Sequence, residues 1–180
     1  MKLEDLLVEK KKTILENWFQ SILESYPPDS INFFKNKKDQ FQNPVGHSIQ
    51  DGMEKLFDGL LGDFDREDVA VPLDKIIKIR SVQDFTPSQA VAFIHSIKHI
   101  VRDTMGELIR DDLYREQLYQ FDCRVDRLAL YAFDCYMQCR EKLYEIRVRE
   151  AKAGSQIIFE RLNRRADSAP GADGGKIENK

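Results

Sequence analysis

Three cysteines and three histidines are the side chains whose chemistry could go beyond packing. Cys135 and Cys139 stand four residues apart, so on a helix they would project from one face, and Cys123 precedes them. A zinc site usually needs four nitrogen or sulfur ligands, and neither a Cys-x-x-Cys pair nor suitably spaced histidines complete the set. The odd number of cysteines does not describe a disulfide scaffold either. The pattern favours thiols that act as small apolar fillers, with a redox or metal role as the alternative.

His95 and His99 have the same four-residue separation, which would let two imidazoles share a metal ion. On a helix, however, both fall away from the apolar side, next to Arg102 and Asp103. That position favours contact with solvent or another subunit, and it disfavours a haem pocket, whose axial histidine needs apolar surroundings. His47 is predicted to make a local polar contact near a helix start.

Motifs of catalysis and of phosphate binding are absent from the sequence, which has no glycine-rich loop, Gly-x-Ser-x-Gly or His-Glu-x-x-His. The net charge of −3 provides no positive field for nucleic acid. The longest apolar run, Leu128 to Phe133, is far shorter than the roughly 20 residues that span a bilayer. The N-terminal residues turn acidic at once, unlike a signal peptide. We therefore predict a cytoplasmic, non-enzymatic protein with no catalytic residue, no cofactor, no metal, no nucleic-acid partner and no membrane insertion.

The elements that position these side chains are predicted to be helices, because apolar residues recur at spacings of three and four along nearly the whole chain. We expect an all-α fold, a single bundle of about six helices. Thr86-Pro87-Ser88-Gln89 has the form of a capping box with proline at the first helical position. The predicted helices run over about 3–26, from Asp29 or Ser30 to about 41, from Asn43-Pro44 to 61, from Pro72 onward, over about 87–110, and over about 112–164.

Two of these helices carry specific packing predictions. Trp18, the only tryptophan, shares a stripe with Ile14, Leu15 and Ile22, and we expect it in the core. The core face of the fifth helix is predicted to comprise Ala90, Ile94, Ile97, Val101, Met105 and Leu108.

The last helix would be on the order of 75 Å long, which is more than one small domain can cover. The first half of its apolar stripe has a coiled-coil spacing near 3.5 residues and the second half relaxes toward 3.6, so we expect a homodimer whose interface includes part of this helix. The alternative is that the partner helix belongs to the same chain. The candidate interface residues are Tyr114, Leu118, Phe121, Val125 and Leu128, and the stripe continues through Ala132, Cys135, Cys139, Leu143 and Ile146. We assign residues 1–165 to one domain and predict that 166–180 are disordered.

The segment Leu73 to Ile94 resembles the central motif of the RsbRD N-terminal domain family, and its most distinctive part is Gln83-Asp84-Phe85-Thr86-Pro87-Ser88. This family comprises sensory N-terminal modules of RsbR-type RsbT co-antagonists in bacterial stress signalling, and also stand-alone members. The resemblance covers about residues 3–150. It is supported by Leu6-Leu7 to Trp18-Phe19, by Asn43-Pro44-Val45-Gly46, and by Tyr144-Glu145-Ile146-Arg147.

The resemblance implies a globin-like helical fold, dimerisation and the absence of enzymatic activity. Because only 15 residues follow Arg165, we expect no STAS module, and phosphorylation and kinase binding are not carried over. The leading interpretation is a non-enzymatic regulatory or sensory module that acts through dimerisation and contacts with an unknown regulatory protein. The alternative is a helical sensor that binds a small ligand, a metal or a redox cofactor.

Overall fold

The computed structural model describes residues 2–27, 43–62, 64–83, 85–109 and 112–167, with the side chains of the last segment described up to 164. Within these ranges the regular elements are all helical and none is a strand. The all-α class, with about six helices and a long last one, is therefore confirmed. The helices are α1 (Leu3–Glu9), α2 (Lys11–Leu23), α3 (Pro44–Leu61), α4 (Arg66–Ser81), α5 (Pro87–Met105) and α6 (Arg115–Asp167), with 3-10 turns at Gly106–Ile109 and Asp112–Tyr114.

Two units make up the chain, residues 1–140 and residues 141–180. The first unit contains a continuous hydrophobic core, to which α1 through α5 and the first part of α6 contribute. In the second unit, none of the described side chains is buried. The assignment of residues 1–165 to one domain stays a prediction. In the described ranges, no helix has both the length and the apolarity that crossing a membrane requires.

The predicted starts of α3 and α5 are confirmed by their capping contacts. The Asn43 side chain accepts a hydrogen bond from the Gly46 backbone N–H at 2.9 Å. Thr86 and Gln89 form the reciprocal capping box, with the backbone N–H of each donating to the side chain of the other. Both helices begin with proline, whose missing N–H has no partner to lose in a first turn.

The predicted start of the fourth helix at Pro72 is wrong. This helix, α4, begins at Arg66, after Asp65 has accepted a hydrogen bond from the Glu67 N–H. Pro72 lies inside the helix, where it is buried along with the core residues Val69 and Ile76. Proline is favoured in a first turn, but core packing can hold it deeper in a helix at the cost of one backbone hydrogen bond.

Other boundaries also differ from the predictions. The first predicted helix is divided at Lys10 into α1 and α2, although its stripe, including Trp18, is buried as expected. The helix predicted to reach residue 110 ends at Met105, because Gly106 adopts a positive φ of 51°. Leu108, predicted to face the core, is 53% exposed. The helix predicted up to about residue 41 and the tail predicted to be disordered lie outside the described residues, except that α6 continues to Asp167.

Helix α4 is held close to α3 by two glycines. A Cβ atom added at Gly52 would lie 3.0 Å from the Ile76 side chain, and one added at Gly59 would lie 2.7 Å from Val69. Glycine at these positions lets the two helices approach closely. The position of α4 in the first unit is therefore tightly constrained, and α4 carries Asp74 and Arg80 of the candidate site.

Candidate functional site

A buried arginine lies at the start of the motif segment, which we define as residues 80–90. Arg80 is 0% exposed. Its Nε donates a hydrogen bond to the Ala90 carbonyl at 2.9 Å, and its Nη2 donates to the Gln89 carbonyl at 3.0 Å. Both terminal nitrogens donate to the Ser25 hydroxyl at 3.1 Å. One side chain thus joins the end of α4 to the start of α5 and to the residues just after α2.

Three aromatic rings surround the same guanidinium group. Its central carbon lies 4.3 Å from the centroid of the Phe85 ring, 5.4 Å from that of Tyr26 and 5.5 Å from that of Phe93. Among the described residues, no carboxylate forms an ion pair with Arg80. Burial lowers the pKa of Arg80, and the neighbouring Tyr26 acts in the opposite direction. The charge is therefore stabilised by carbonyl oxygens and ring faces, which a planar guanidinium can contact together.

Helix α6 is bonded to both ends of the loop that joins α4 to α5. The Tyr136 hydroxyl donates to the Phe85 carbonyl at 2.7 Å, and Tyr136 is buried. One turn further along, Arg140 Nη1 donates to the Ser81 carbonyl at 3.2 Å. The motif segment and α6 cannot shift relative to one another without breaking these contacts.

Trp18 connects this network to the hydrophobic core. A buried indole N–H needs a hydrogen-bond acceptor. Its indole N–H donates to the Phe93 carbonyl at 2.7 Å, and the two rings are stacked with centroids 6.3 Å apart. Phe93 thus contacts both the indole and the Arg80 guanidinium. The sequence prediction that Trp18 belongs to the core is confirmed.

A second cluster lies where α4 packs against α6. One ligand atom each from Asp74, Cys135 and Cys139 lies within 4.8 Å of the other two, and all three residues are half-buried. The Cys135 thiol donates to Asp74 Oδ1 at 3.6 Å, while Asp74 Oδ2 pairs with Lys78 Nζ at 2.5 Å. Burial, together with the nearby Cys139 and Asp74, raises the pKa of Cys135 to about 12. A cavity of about 190 Å³ reaches both Asp74 and Cys135.

The remaining residues singled out for their chemistry lie apart from this cluster. His95 and His99 are exposed on α5, as predicted, and His95 Nδ1 is 3.6 Å from Asp126 Oδ1. His47 is exposed as well, and Cys123 is a half-buried free thiol. In the described part of the chain, Asp74, Cys135 and Cys139 form the one group of three or more side chains suited to a metal ion.

The five candidate interface residues lie in the first unit. Phe121, Val125 and Leu128 are 0% exposed, Tyr114 is also buried, and Leu118 is half-buried against the same core. The chain's own helices cover them, which corresponds to the same-chain alternative for these positions. That two copies of the chain associate stays a prediction.

Among its described residues, the second unit presents a row of five exposed side chains, of which all but one serine are apolar. Along α6, Val148, Ala151, Ser155, Ile158 and Leu162 follow one another at alternating steps of three and four residues. All five are exposed, including Ile158 at 61% and Leu162 at 57%. We call them the exposed seam. Its spacing is that of a coiled-coil face.

The chain is similar to one protein family and to a protein of known sequence. The family model described as RsbT co-antagonist protein rsbRD N-terminal domain matches residues 12–151. The chain is also similar to an uncharacterized protein of Archaeoglobus fulgidus, with 23% identity over 151 residues that span 82% of this chain and 89% of that relative. No solved structure matches the chain. The family match contains the whole motif segment and the part of α6 that is bonded to it.

Proposed function

Because the chain belongs to the family of the RsbT co-antagonist protein rsbRD N-terminal domain, we propose that it is a non-enzymatic regulatory module of stress signalling that acts through protein contacts. The observation that carries this proposal is the family match over residues 12–151, which takes in α2 from its second residue, all of α3, α4 and α5, and α6 up to residue 151. The family is regulatory rather than enzymatic. The protein's output would then be a change in what it binds.

The contacts around Arg80 supply a physical route for such a change. A signal that displaces α4 from α5 has to break the hydrogen bonds from Arg80 to Gln89 and Ala90. Since Tyr136 bonds to the loop that follows α4 and Arg140 bonds to the last residue of α4, the same displacement would act on α6. Packed elements of this kind shift between discrete arrangements rather than deform continuously.

The surface that we assign to protein contacts is the exposed seam. Its spacing favours pairing with a like helix, and homodimerisation through it is part of the proposal. A partner that covers Ile158 and Leu162 removes two large apolar side chains from water, each worth roughly 1.5–3 kcal/mol before ordering costs. A regulatory protein that engages the same seam is the second contact we propose.

Three further parts of the proposal rest on the family resemblance and the sequence alone. They are a globin-like arrangement of the helices, a cytoplasmic location, and the absence of a catalytic site. Residues 1–165 would act together as the signalling domain.

Two alanines on α6 offer a matched test of the seam. Ala151 belongs to the seam, whereas Ala153 is exposed and, at 100° per residue, projects from roughly the opposite side of the helix. We expect the unaltered chain to have about twice the 21.0 kDa mass of one chain in light scattering at micromolar concentration. Ala151→Asp should weaken the dimer at least about tenfold, or 1.4 kcal/mol, because it places a charge in the seam. Ala153→Asp should leave the dimer unchanged.

The same two variants serve as baits for the regulatory partner. Proteins bound from native lysate by the unaltered chain and by Ala153→Asp, but lost with Ala151→Asp, would support the proposal. A monomeric chain at micromolar concentration contradicts the dimer. Equal behaviour of the two variants in both measurements contradicts the assignment of protein contacts to the seam.

A further inference from the structure

We propose that Asp74, Cys135 and Cys139 form a binding site for one Zn²⁺ ion, held by two thiolate sulfurs and one carboxylate oxygen with a fourth position open. This inference is independent of the signalling function proposed above. It rests on the placement of three ligand atoms by two packed helices of the first unit.

The geometry of the cluster is close to what a zinc ion needs. Cys135 and Cys139 lie one turn apart on the same face of α6, and Asp74 reaches them from α4. The three ligand atoms lie within 4.8 Å of one another. With Zn–S bonds of about 2.3 Å and tetrahedral angles, two sulfur ligands lie about 3.8 Å apart. Side-chain movements of about 1 Å therefore suffice, and no backbone rearrangement is needed.

Lys78 orients the carboxylate for this role. Asp74 Oδ2 is held by the Lys78 ammonium at 2.5 Å, which leaves Oδ1 directed at the Cys135 sulfur. Outer contacts of this kind commonly hold metal-ligating carboxylates in place. Two thiolates and one carboxylate, with a divalent ion and the Lys78 ammonium, carry no net formal charge. On binding, the ion would replace the thiol proton that Cys135 donates to Asp74, and this proton would pass to solvent.

The ligand types indicate the class of metal. Thiolates are soft ligands, whereas Mg²⁺ and Ca²⁺ take oxygen ligands almost exclusively. The carboxylate makes the set harder than the all-sulfur sites that Cu⁺ prefers, and a mixed set of this kind suits Zn²⁺. The open position has room beside it, because a water occupies about 30 Å³ and the adjoining cavity has about 190 Å³. Solvent would complete the coordination.

The test is a zinc titration of the full chain, prepared without metal under reducing conditions and in competition with a chromophoric chelator. We expect one Zn²⁺ per chain. Cys135→Ser, Cys139→Ser and Asp74→Asn should each weaken binding by more than the roughly 10–100-fold that loss of an outer contact costs. Two matched controls should bind like the unaltered chain. Cys123→Ser removes a thiol outside the cluster, and Asp134→Asn removes an exposed carboxylate beside the same cavity.

Co²⁺ provides a second measurement that requires no variant. Its complex with the unaltered chain should have the sulfur-to-metal charge-transfer absorption and the strong visible bands of a tetrahedral thiolate site. Helical circular dichroism of each variant shows whether lost binding reflects lost folding. The proposal is overturned if Co²⁺ bound to the chain lacks thiolate absorption. It is equally overturned by one Zn²⁺ per two chains, or by affinities of the folded cluster variants that equal those of the controls.

Discussion

The two parts of α6, before and after residue 140, have similar apolar spacing and opposite burial. In the first part, Phe121, Val125 and Leu128 are completely buried by helices of the same chain. In the second part, Ile158 and Leu162 repeat the spacing and remain exposed. Spacing along a helix therefore determines which side is apolar, whereas other segments of the chain decide whether that side is covered. An apolar stripe predicts a buried face only together with the elements that pack on it.

This difference has an energetic consequence. Because burial of a large apolar side chain contributes roughly 1.5–3 kcal/mol, the free energy of unfolding should be concentrated in the first unit. Substitutions at described residues of the second unit outside the exposed seam should change that free energy little, even where they remove a large side chain. Matched substitutions in the two parts of the chain can measure the contrast directly.

The largest expected effect is at Trp18. Trp18→Ala removes a fully buried indole and its hydrogen bond to the Phe93 carbonyl, so we expect a loss of about 3–5 kcal/mol in the free energy of unfolding. The counterpart in the second unit is Phe159→Ala, which should change it by no more than about 0.5 kcal/mol. Denaturant unfolding measures both. A loss below about 1 kcal/mol for Trp18→Ala would contradict the role of this residue in the core.

A smaller effect is expected at Arg80. Arg80→Lys keeps the charge but loses the planar fork, so it cannot contact Ser25, Gln89 and Ala90 together. We expect a loss of about 1–3 kcal/mol, the cost of leaving buried polar groups without partners. Arg161→Lys, on the exposed part of α6, is the control and should be neutral. Equal stability of the two variants would mean that the planar geometry of the Arg80 guanidinium does not stabilise the fold.

The smallest effect tests the contact between the motif segment and α6. Tyr136→Phe removes only the hydroxyl that donates to the Phe85 carbonyl, and we expect a loss of about 0.5–1.5 kcal/mol. Tyr144→Phe makes the same change at a tyrosine of the second unit that is 54% exposed, where water can replace a contact of the lost hydroxyl. Its effect should stay within about 0.5 kcal/mol. If both variants unfold at the same denaturant concentration as the unaltered chain, the hydroxyl of Tyr136 does not stabilise the loop.

Local signals explain which parts of the fold were predictable. The starts of α3 and α5 can be predicted at Asn43-Pro44 and Thr86-Pro87. In both, the capping side chain and the backbone N–H that it accepts from are three residues apart in the sequence. The predicted start of α4 at Pro72 is wrong because proline is favoured in the first turn of a helix, whereas here it lies inside one. The cap that actually opens α4, Asp65, has no capping-box partner and is a weaker signal.

The contacts of the candidate site were less predictable, since they join residues that are distant in the sequence. Asp74 lies 61 residues before Cys135, and no spacing rule connects them. Tyr136 and Arg140 likewise meet the loop after α4 only through tertiary packing. For Arg80, by contrast, the sequence does contain a signal of burial. It continues the buried row of Leu73, Ile76 and Ile77, and a charge at such a position indicates a special environment.

The position of the single tryptophan allows the unfolding of the first unit to be followed by intrinsic fluorescence. Trp18 lies in the core of the first unit, and residues 141–180 contain no tryptophan. Indole emission therefore reports the opening of that core alone, while circular dichroism at helical wavelengths sums over every helical residue. Coincident transitions are the signature of two-state unfolding. In this chain, the two signals separate if the second part of α6 loses its helix before the core opens, and no added label is needed to observe it.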